Sequence, residues 1–154
     1  LNVGASAIGQ GQVQASTLQM TLVAATVARR GRLVTPTLSQ AKADQTKPSS
    51  GAQAIKASTA EILERFMIGV VRGGTGTAAA VPGVTVAGKT GTAELRSPSE
   101  NPEDTDAWFI AFAPAGKKKI ASGAVGVLFV GAGAGGETAA PAAQGVLSAM
   151  LAQR

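Results

Sequence analysis

Residues Val86–Leu95 read VAGKTGTAEL and concentrate most of the chemistry-bearing side chains of this chain. Read together with Gly83, the run GVTVAGKT fits G-x-x-x-x-G-K-[ST], the pattern of a phosphate-cradling loop. Read without Gly83, K-T-G-T offers a different set of groups. Lys89 supplies a cation for an anionic substrate or a buried hydroxyl. Thr90 and Thr92 supply two neighbouring hydroxyls, and Gly91 leaves the backbone open to close approach. The backbone N–H of Thr92 can face a developing oxyanion, as acyl transfer requires. A peptide laid along such an edge pairs with it by strand addition. On these four letters alone, an ordinary polar edge strand is the alternative.

The surrounding elements separate these readings. A phosphate loop needs an apolar strand before its first glycine and a helix after the Lys-Thr pair. Here TAAAVP precedes Gly83, too small and too Pro-broken for a parallel strand, and Gly91 follows Thr90. Val84, Thr85 and Val86 between the glycines favour a pleated strand. GVLFVGAG, the later strand end, carries no Asp to hold a metal. The pattern therefore predicts a strand through VTVAGKTGTAEL and no nucleotide site.

Upstream, ASTLQMTLVAATVARRG predicts a helix opened by a Ser16–Gln19 capping box, with Leu18/Leu22/Ala25 and Met20/Val23/Val27 buried on two sides. Gly31 ends it, after Arg29 and Arg30 complement the dipole. Residues 41–54 read as a polar surface loop. A second helix is expected from a Ser58-Thr59-Ala60-Glu61 capping box, with an apolar stripe of Ile62, Phe66 and Val70, Leu63 and Met67 beside it, and stopped by Gly73-Gly74. Ala107–Pro114 and Ile120–Val130 are further strands, the last so apolar that a central place in the sheet is expected. APAAQGVLSAMLAQR closes the chain as a helix, with Pro141 near its first turn and Val146, Leu147, Met150 and Leu151 buried. Short turns between three strands imply an antiparallel meander, so the fold class is α+β.

The composition excludes several mechanisms. The 154 residues contain neither Cys nor His, which removes Ser-His-Asp and Cys-His machinery and Cys/His zinc sites. Glu100, Glu103, Asp104 and Asp106 lack calcium-loop spacing, so no metal or cofactor is expected. A net charge of +5 suits an anionic partner, but 3% aromatic residues is too few for base stacking, which argues against nucleic acid. Lys117–Lys119 read as a solvated hairpin turn. Trp108 reads as core or as a cleft wall, and Glu94 as a strand-end ion-pair partner or a group facing the site.

Four pieces then occur in one order: AIGQGQVQASTLQM (7–20), VVRGGTGTAA (70–79), AGKTGTAE (87–94) and AWFIAFAP (107–114). Together they closely resemble the transpeptidase domain of class B penicillin-binding proteins over most of the chain. The resemblance implies a β-lactamase/transpeptidase-like fold, an antiparallel sheet flanked by helices. It also implies peptidoglycan D,D-transpeptidation. A serine is acylated by stem peptides ending in D-Ala-D-Ala, and the acyl group passes to a neighbouring stem's amine. β-Lactams acylate the same serine. Carried onto this chain, Lys89 is the K-T-G lysine and Thr92 lends its N–H to the oxyanion hole. Thr90, Gly91 and Thr92 form the substrate-binding strand. A D,D-carboxypeptidase or β-lactamase relative, or a non-catalytic peptidoglycan- or β-lactam-binding module, are the alternatives.

The chain departs from that family in one respect. S-x-x-K and S-x-N motifs should precede K-T-G. SQAK (39–42) and SEN (99–101) match in letters, but the first enters a polar loop and the second follows K-T-G, so both read as chance matches. Residues 1–154 are therefore expected to be the C-terminal portion of one transpeptidase domain, inactive alone. The nucleophile and the membrane anchor would lie elsewhere, and the site would face the outside of the cytoplasmic membrane. The expected partners are peptidoglycan stem peptides, β-lactams, the N-terminal half of the same domain and another copy paired along the apolar edge of the last strand.

Overall fold

A computed structural model describes residues 2–11, 13–37, 39, 41, 51–95, 101, 104–116 and 121–153. Its elements are α1 (Val3–Ala7), α2 (Thr17–Ala28), α3 (Ala57–Gly73), a 3-10 turn (Thr77–Ala79), β1 (Ala87–Glu94), β2 (Thr105–Ala113), β3 (Gly123–Phe129) and α4 (Ala139–Ala152). The three strands form an antiparallel sheet in the order β1-β2-β3. The α+β class expected from the strand spacing is the one observed.

Alternation along β2 divides the core into two. Ala107, Phe109 and Ala111 are buried on the face covered by Ala139, Ala140, Ala143 and Leu147 of α4. Phe112, with the half-buried Ile110, faces Ala24 and Val27 of α2. Strand side chains point alternately to opposite faces, so a single nine-residue strand serves both layers. Helix α3 joins the layers, giving Val71 to one cluster and Met67 to the other.

Gly88 opens the sheet to its neighbours. A Cβ there would lie 2.6 Å from Phe109 Cζ, so a side chain at 88 and the buried ring exclude each other.

Several expectations need correction. β2, not the more apolar β3, is central in this sheet. Three strands in meander order necessarily put the middle one inside, and α2 and α4 bury the apolar residues of β3 at the edge. The capping box on α2 is present, with Ser16 Oγ accepting from Gln19 N–H at 3.2 Å and Gln19 Oε1 accepting from Ser16 N–H at 2.7 Å. The box expected at Ser58 is absent: α3 begins at Ala57 and its N-cap is Lys56, without a side-chain bond. Inside the first turn, the Ser58 hydroxyl has no cap position to fill.

Of the apolar stripe expected on α3, Met67 is buried, together with Ala60 and Val71, whereas Ile62, Leu63 and Phe66 are 41%, 38% and 68% exposed. Leu18, Val23 and Val146 are likewise exposed. Each lies on a side of its helix that the sheet does not reach. The short helix α1 was not anticipated. Asn2 caps it, with Oδ1 accepting from Ala5 N–H at 3.1 Å. Lys117–Lys119, Ser99, Glu100 and Glu103 lie outside the described residues.

Candidate functional site

β1 is a strand throughout Ala87–Glu94, with no helix after Lys89-Thr90, so the phosphate-loop geometry is absent. Its register against β2 is Lys89↔Ile110, Thr90↔Phe109, Gly91↔Trp108 and Thr92↔Ala107. β1 is the first strand of the sheet, and among the described residues one of its sides is not paired to any strand.

The hydrogen bonds around β1 identify which backbone groups face that open side. Leu95 N–H donates to Asp104 O at 2.7 Å, and Thr85 O accepts from Ala115 N–H at 2.8 Å, both toward the β2 side. Odd-numbered residues therefore face β2. In an antiparallel pair the N–H and C=O of one residue share a side, so even-numbered residues turn both groups outward. Thr90 and Thr92 thus present N–H and C=O to the open side.

The odd side chains line a cleft of about 360 Å³. Lys89, Gly91 and Ala93 form its floor with Trp108 and Ile110, and Ile8, Gln10 and Met20 form the opposite wall. That volume falls within the range of small-molecule sites. Trp108 is half-buried and lines the floor of the cleft. A Cβ on Gly91 would sit 3.0 Å from Trp108 Cβ. Gly91 therefore keeps the floor flat beneath the indole.

Lys89 is exposed and curls around the strand edge. Its Nζ donates to Thr90 O at 2.7 Å and lies 3.4 Å from Thr90 Oγ1. This crossing is needed because Lys89 and the two threonines start on opposite faces of β1. The ammonium reaches the hydroxyl side only over the open edge.

The hydroxyl face has its own support. Thr90 Oγ1 lies 2.8 Å from Thr75 Oγ1, which stands on the turn after α3. Thr92 Oγ1 accepts from Gly135 N–H at 3.5 Å. Gly135 approaches so closely that a Cβ there would overlap the carbonyl oxygens of Trp108 and Gly91. The β3–α4 loop thus presses directly on the backbone of β1 and β2. Thr75 and Gly135 gave no signal in the four letters K-T-G-T. Both come from segments distant in sequence, and Gly135 was legible only as one of many glycines in a turn.

Gln10, which lies in the segment AIGQGQVQASTLQM, is a site residue that the sequence reading did not name. Its Nε2 donates to Thr92 O at 3.1 Å, and its Oε1 accepts from Glu94 N–H at 3.0 Å. Gly9 and Gly11 on either side have φ of 78° and 74°, a backbone that side chains resist. That bend brings residue 10 onto a strand more than eighty positions away.

Ser39 is not among the residues lining the cleft; its Oγ accepts from Ala41 N–H at 3.2 Å. Lys42 and Ser99 fall outside the described residues. Asp106, one of the four acids weighed for calcium, accepts from Gly131 N–H at 3.1 Å. Among the described residues no cluster of three or more acidic, His or Cys side chains is placed to hold a metal. No described helix is long and apolar enough to cross a membrane.

Comparison with known proteins gives this geometry a family. The model of the penicillin-binding protein transpeptidase domain matches residues 2–148. The peptidoglycan D,D-transpeptidase PbpA of Mycolicibacterium smegmatis is 35% identical over 161 residues, covering 97% of this chain and 32% of that protein. Penicillin-binding protein 3 of Bacillus subtilis is 36% identical over 107 residues, covering 68% of this chain and 16% of that protein. The crystal structure of PbpA from Mycobacterium tuberculosis superposes with a TM-score of 0.78 at 32% identity, covering 96% of this chain and 35% of that one. The same mycobacterial protein has also been solved as a ceftriaxone acyl-enzyme complex. The chain spans about a third of the length of the PbpA proteins it matches. A K-T-G-T strand at an open sheet edge, with a family match over nearly every residue, means that this chain belongs to the transpeptidase family of penicillin-binding proteins.

Proposed function

We propose that this chain provides the substrate-binding strand and part of the oxyanion hole of a serine peptidoglycan D,D-transpeptidase. The observation that carries it is the outward side of β1, where the N–H of Thr92 shares an open edge with the Lys89 ammonium. A stem peptide ending in D-Ala-D-Ala would lie along this edge as an added strand. Its terminal carboxylate would be drawn by Lys89 and bonded by the Thr90 and Thr92 hydroxyls, with Gly91 giving the backbone room. The scissile carbonyl then lies at the Thr92 N–H.

As a serine attacks that carbonyl, the oxygen gains a full negative charge and the N–H bond to it shortens. One such preorganised donor is worth about 3 kcal/mol of barrier. Collapse of the tetrahedral intermediate breaks the peptide bond and releases terminal D-Ala. The amine of a neighbouring stem then attacks the acyl-serine and closes the cross-link. β-Lactams would enter by the same route, their carboxylate standing for that of the peptide.

The serine, its lysine base and the S-x-N hydroxyl are assigned to residues other than these 154, in an N-terminal half that pairs with this one. Ser39 and Ser99 are not proposed as catalytic. The assembled domain would act on the outer face of the cytoplasmic membrane.

Two measurements on the isolated chain test this. Fluorescent penicillin should leave no stable covalent label, and a stable label would refute the assignment of the nucleophile. N-acetyl-D-Ala-D-Ala should perturb the Thr90 and Thr92 amides in an NMR titration, and Lys89→Met should weaken that binding at least tenfold. Binding untouched by Lys89→Met would refute the role of the strand.

A further inference from the structure

The hydroxyl of Thr90 has another hydroxyl as its neighbour. Thr75 Oγ1 lies 2.8 Å away, and either atom can be the donor. Lys89 Nζ lies 3.4 Å from Thr90 Oγ1 on another side, and an ammonium only donates. A hydroxyl carries one proton and two lone pairs. The three groups therefore admit two arrangements. In the first, Thr90 accepts from Lys89 and donates to Thr75. In the second, Thr90 accepts from both Lys89 and Thr75, and its own proton is left for a third partner.

Charge at the strand edge decides between them. Without an anion, the first arrangement runs in one direction, from Lys89 through Thr90 to Thr75. Bonds in such a chain polarise one another, and the Thr90 proton points away from the ammonium. A carboxylate beside Thr90 favours the second, because a hydrogen bond to an anion is roughly twice as strong as one between neutral groups. The change requires Thr75 to accept in one state and to donate in the other. Both hydroxyls keep their protons, and only the O–H directions turn over. A side chain without a hydroxyl at position 75 removes this exchange and leaves the shape of the site.

The backbone holds Thr75 in place for this task. It sits between the end of α3 at Gly73 and the 3-10 turn at Thr77. The N–H groups of Gly74 and Gly76 on either side both donate to Val70 O, at 3.1 and 3.0 Å. A Cβ on Gly76 would lie 3.0 Å from the Phe109 ring, and one on Gly136 would overlap Thr75 O. Thr90 lines the cleft and Thr75 does not.

We propose that Thr75 is a positioning residue for carboxylate recognition, acting through Thr90: it accepts the Thr90 proton in the empty site and donates to Thr90 when the substrate carboxylate takes that proton. The proposal rests on the peptide's terminal carboxylate docking at Thr90, as described above.

The test is an NMR titration of the 154-residue chain with N-acetyl-D-Ala-D-Ala and with N-acetyl-D-Ala-D-alaninamide, which lacks the anionic end. Wild type is compared with Thr75→Val, Thr75→Ser and, as a reference, Lys89→Met. Valine keeps the branched shape without the hydroxyl, and serine keeps the hydroxyl. Wild type should bind the acid more tightly than the amide. Thr75→Val should weaken the acid about three- to tenfold, the worth of one neutral hydrogen bond, and the amide less than about twofold. Thr75→Ser should bind the acid about as wild type does. Acid binding untouched by Thr75→Val but weakened by Lys89→Met overturns the role of Thr75 and leaves the strand reading standing. Equal losses for acid and amide, or a loss in Thr75→Ser as large as in Thr75→Val, show a purely structural residue and also overturn the proposal. A wild type that binds the acid no better than the amide refutes the carboxylate docking, and the proposal with it.

Discussion

Gly135→Ala is a one-carbon change that reports directly on how the site is built. A Cβ at residue 135 would fall on the carbonyl oxygens of Trp108 and Gly91, both backbone atoms that cannot rotate away. Gly135 N–H also donates to Thr92 Oγ1 at 3.5 Å, and Gly135 O accepts from Ala140 N–H at 2.9 Å at the start of α4. The loop can relieve the overlap only by withdrawing from β1 and β2. Overpacking against a well-packed neighbour costs about 1–3 kcal/mol. At about 2–4 °C per kcal/mol for a chain of this size, Tm should fall by roughly 2–12 °C. The control is the same substitution at Gly145, inside α4, where an added Cβ meets nothing within 4 Å. Alanine there improves helix propensity by about 0.5–1 kcal/mol, so Tm should rise by roughly 1–4 °C. Thermal unfolding followed by far-UV circular dichroism reads both. Equal melting temperatures for Gly135→Ala and wild type would show that the loop does not press on the strand as described. Gly135→Ala should also shift the Gly91 and Thr92 amides in solution, which a remote destabilisation would not do.

Other consequences are open to measurement. Ser16→Ala removes the reciprocal cap of α2 and should cost about 1 kcal/mol, whereas Ser58→Ala, inside the first turn of α3, should cost under about 0.5 kcal/mol in the same denaturant titration. Phe109→Ala empties the centre of the larger core cluster and should cost about 3–5 kcal/mol, enough to bring the chain close to its unfolding limit at room temperature. Thr90→Val deletes the hydroxyl paired with Thr75 and should weaken N-acetyl-D-Ala-D-Ala about 10–100-fold, the loss expected for a bond to a charged group, as isothermal titration would read. β3 is unpaired on one side among the described residues, and Phe129 at its end is 43% exposed, so sedimentation should detect self-association that Phe129→Lys abolishes.

Local patterning was enough to locate the strands, helix α2 with its cap, and the meander. These depend on neighbours in the chain: a serine and a glutamine three positions apart, β-branched residues in alternation, glycines at turns. The absence of His and Cys was equally decisive for chemistry, since no arrangement of the backbone can supply a missing side chain. The same letters distinguished a strand from a phosphate loop, because Gly91 after Thr90 disfavours the helix such a loop requires.

Burial and partnership were decided by tertiary structure. Ile62 and Phe66 repeat at helical spacing as faithfully as Met67 and Val71, yet only the second pair meets the sheet. Periodicity identifies a stripe, and packing selects which stripe is covered. The apolar β3 could not be ranked against β2, because order in a sheet is a property of pairing. The site shows the same division. Lys89, Gly91 and the two threonines were legible because K-T-G-T is contiguous. Gln10, Thr75 and Gly135 were not, since each reaches β1 from a segment at least fifteen residues away and makes its bond only when the chain has folded. Contiguous residues share a strand by covalent geometry, whereas the groups that fix the polarity of its edge are brought there by the whole fold.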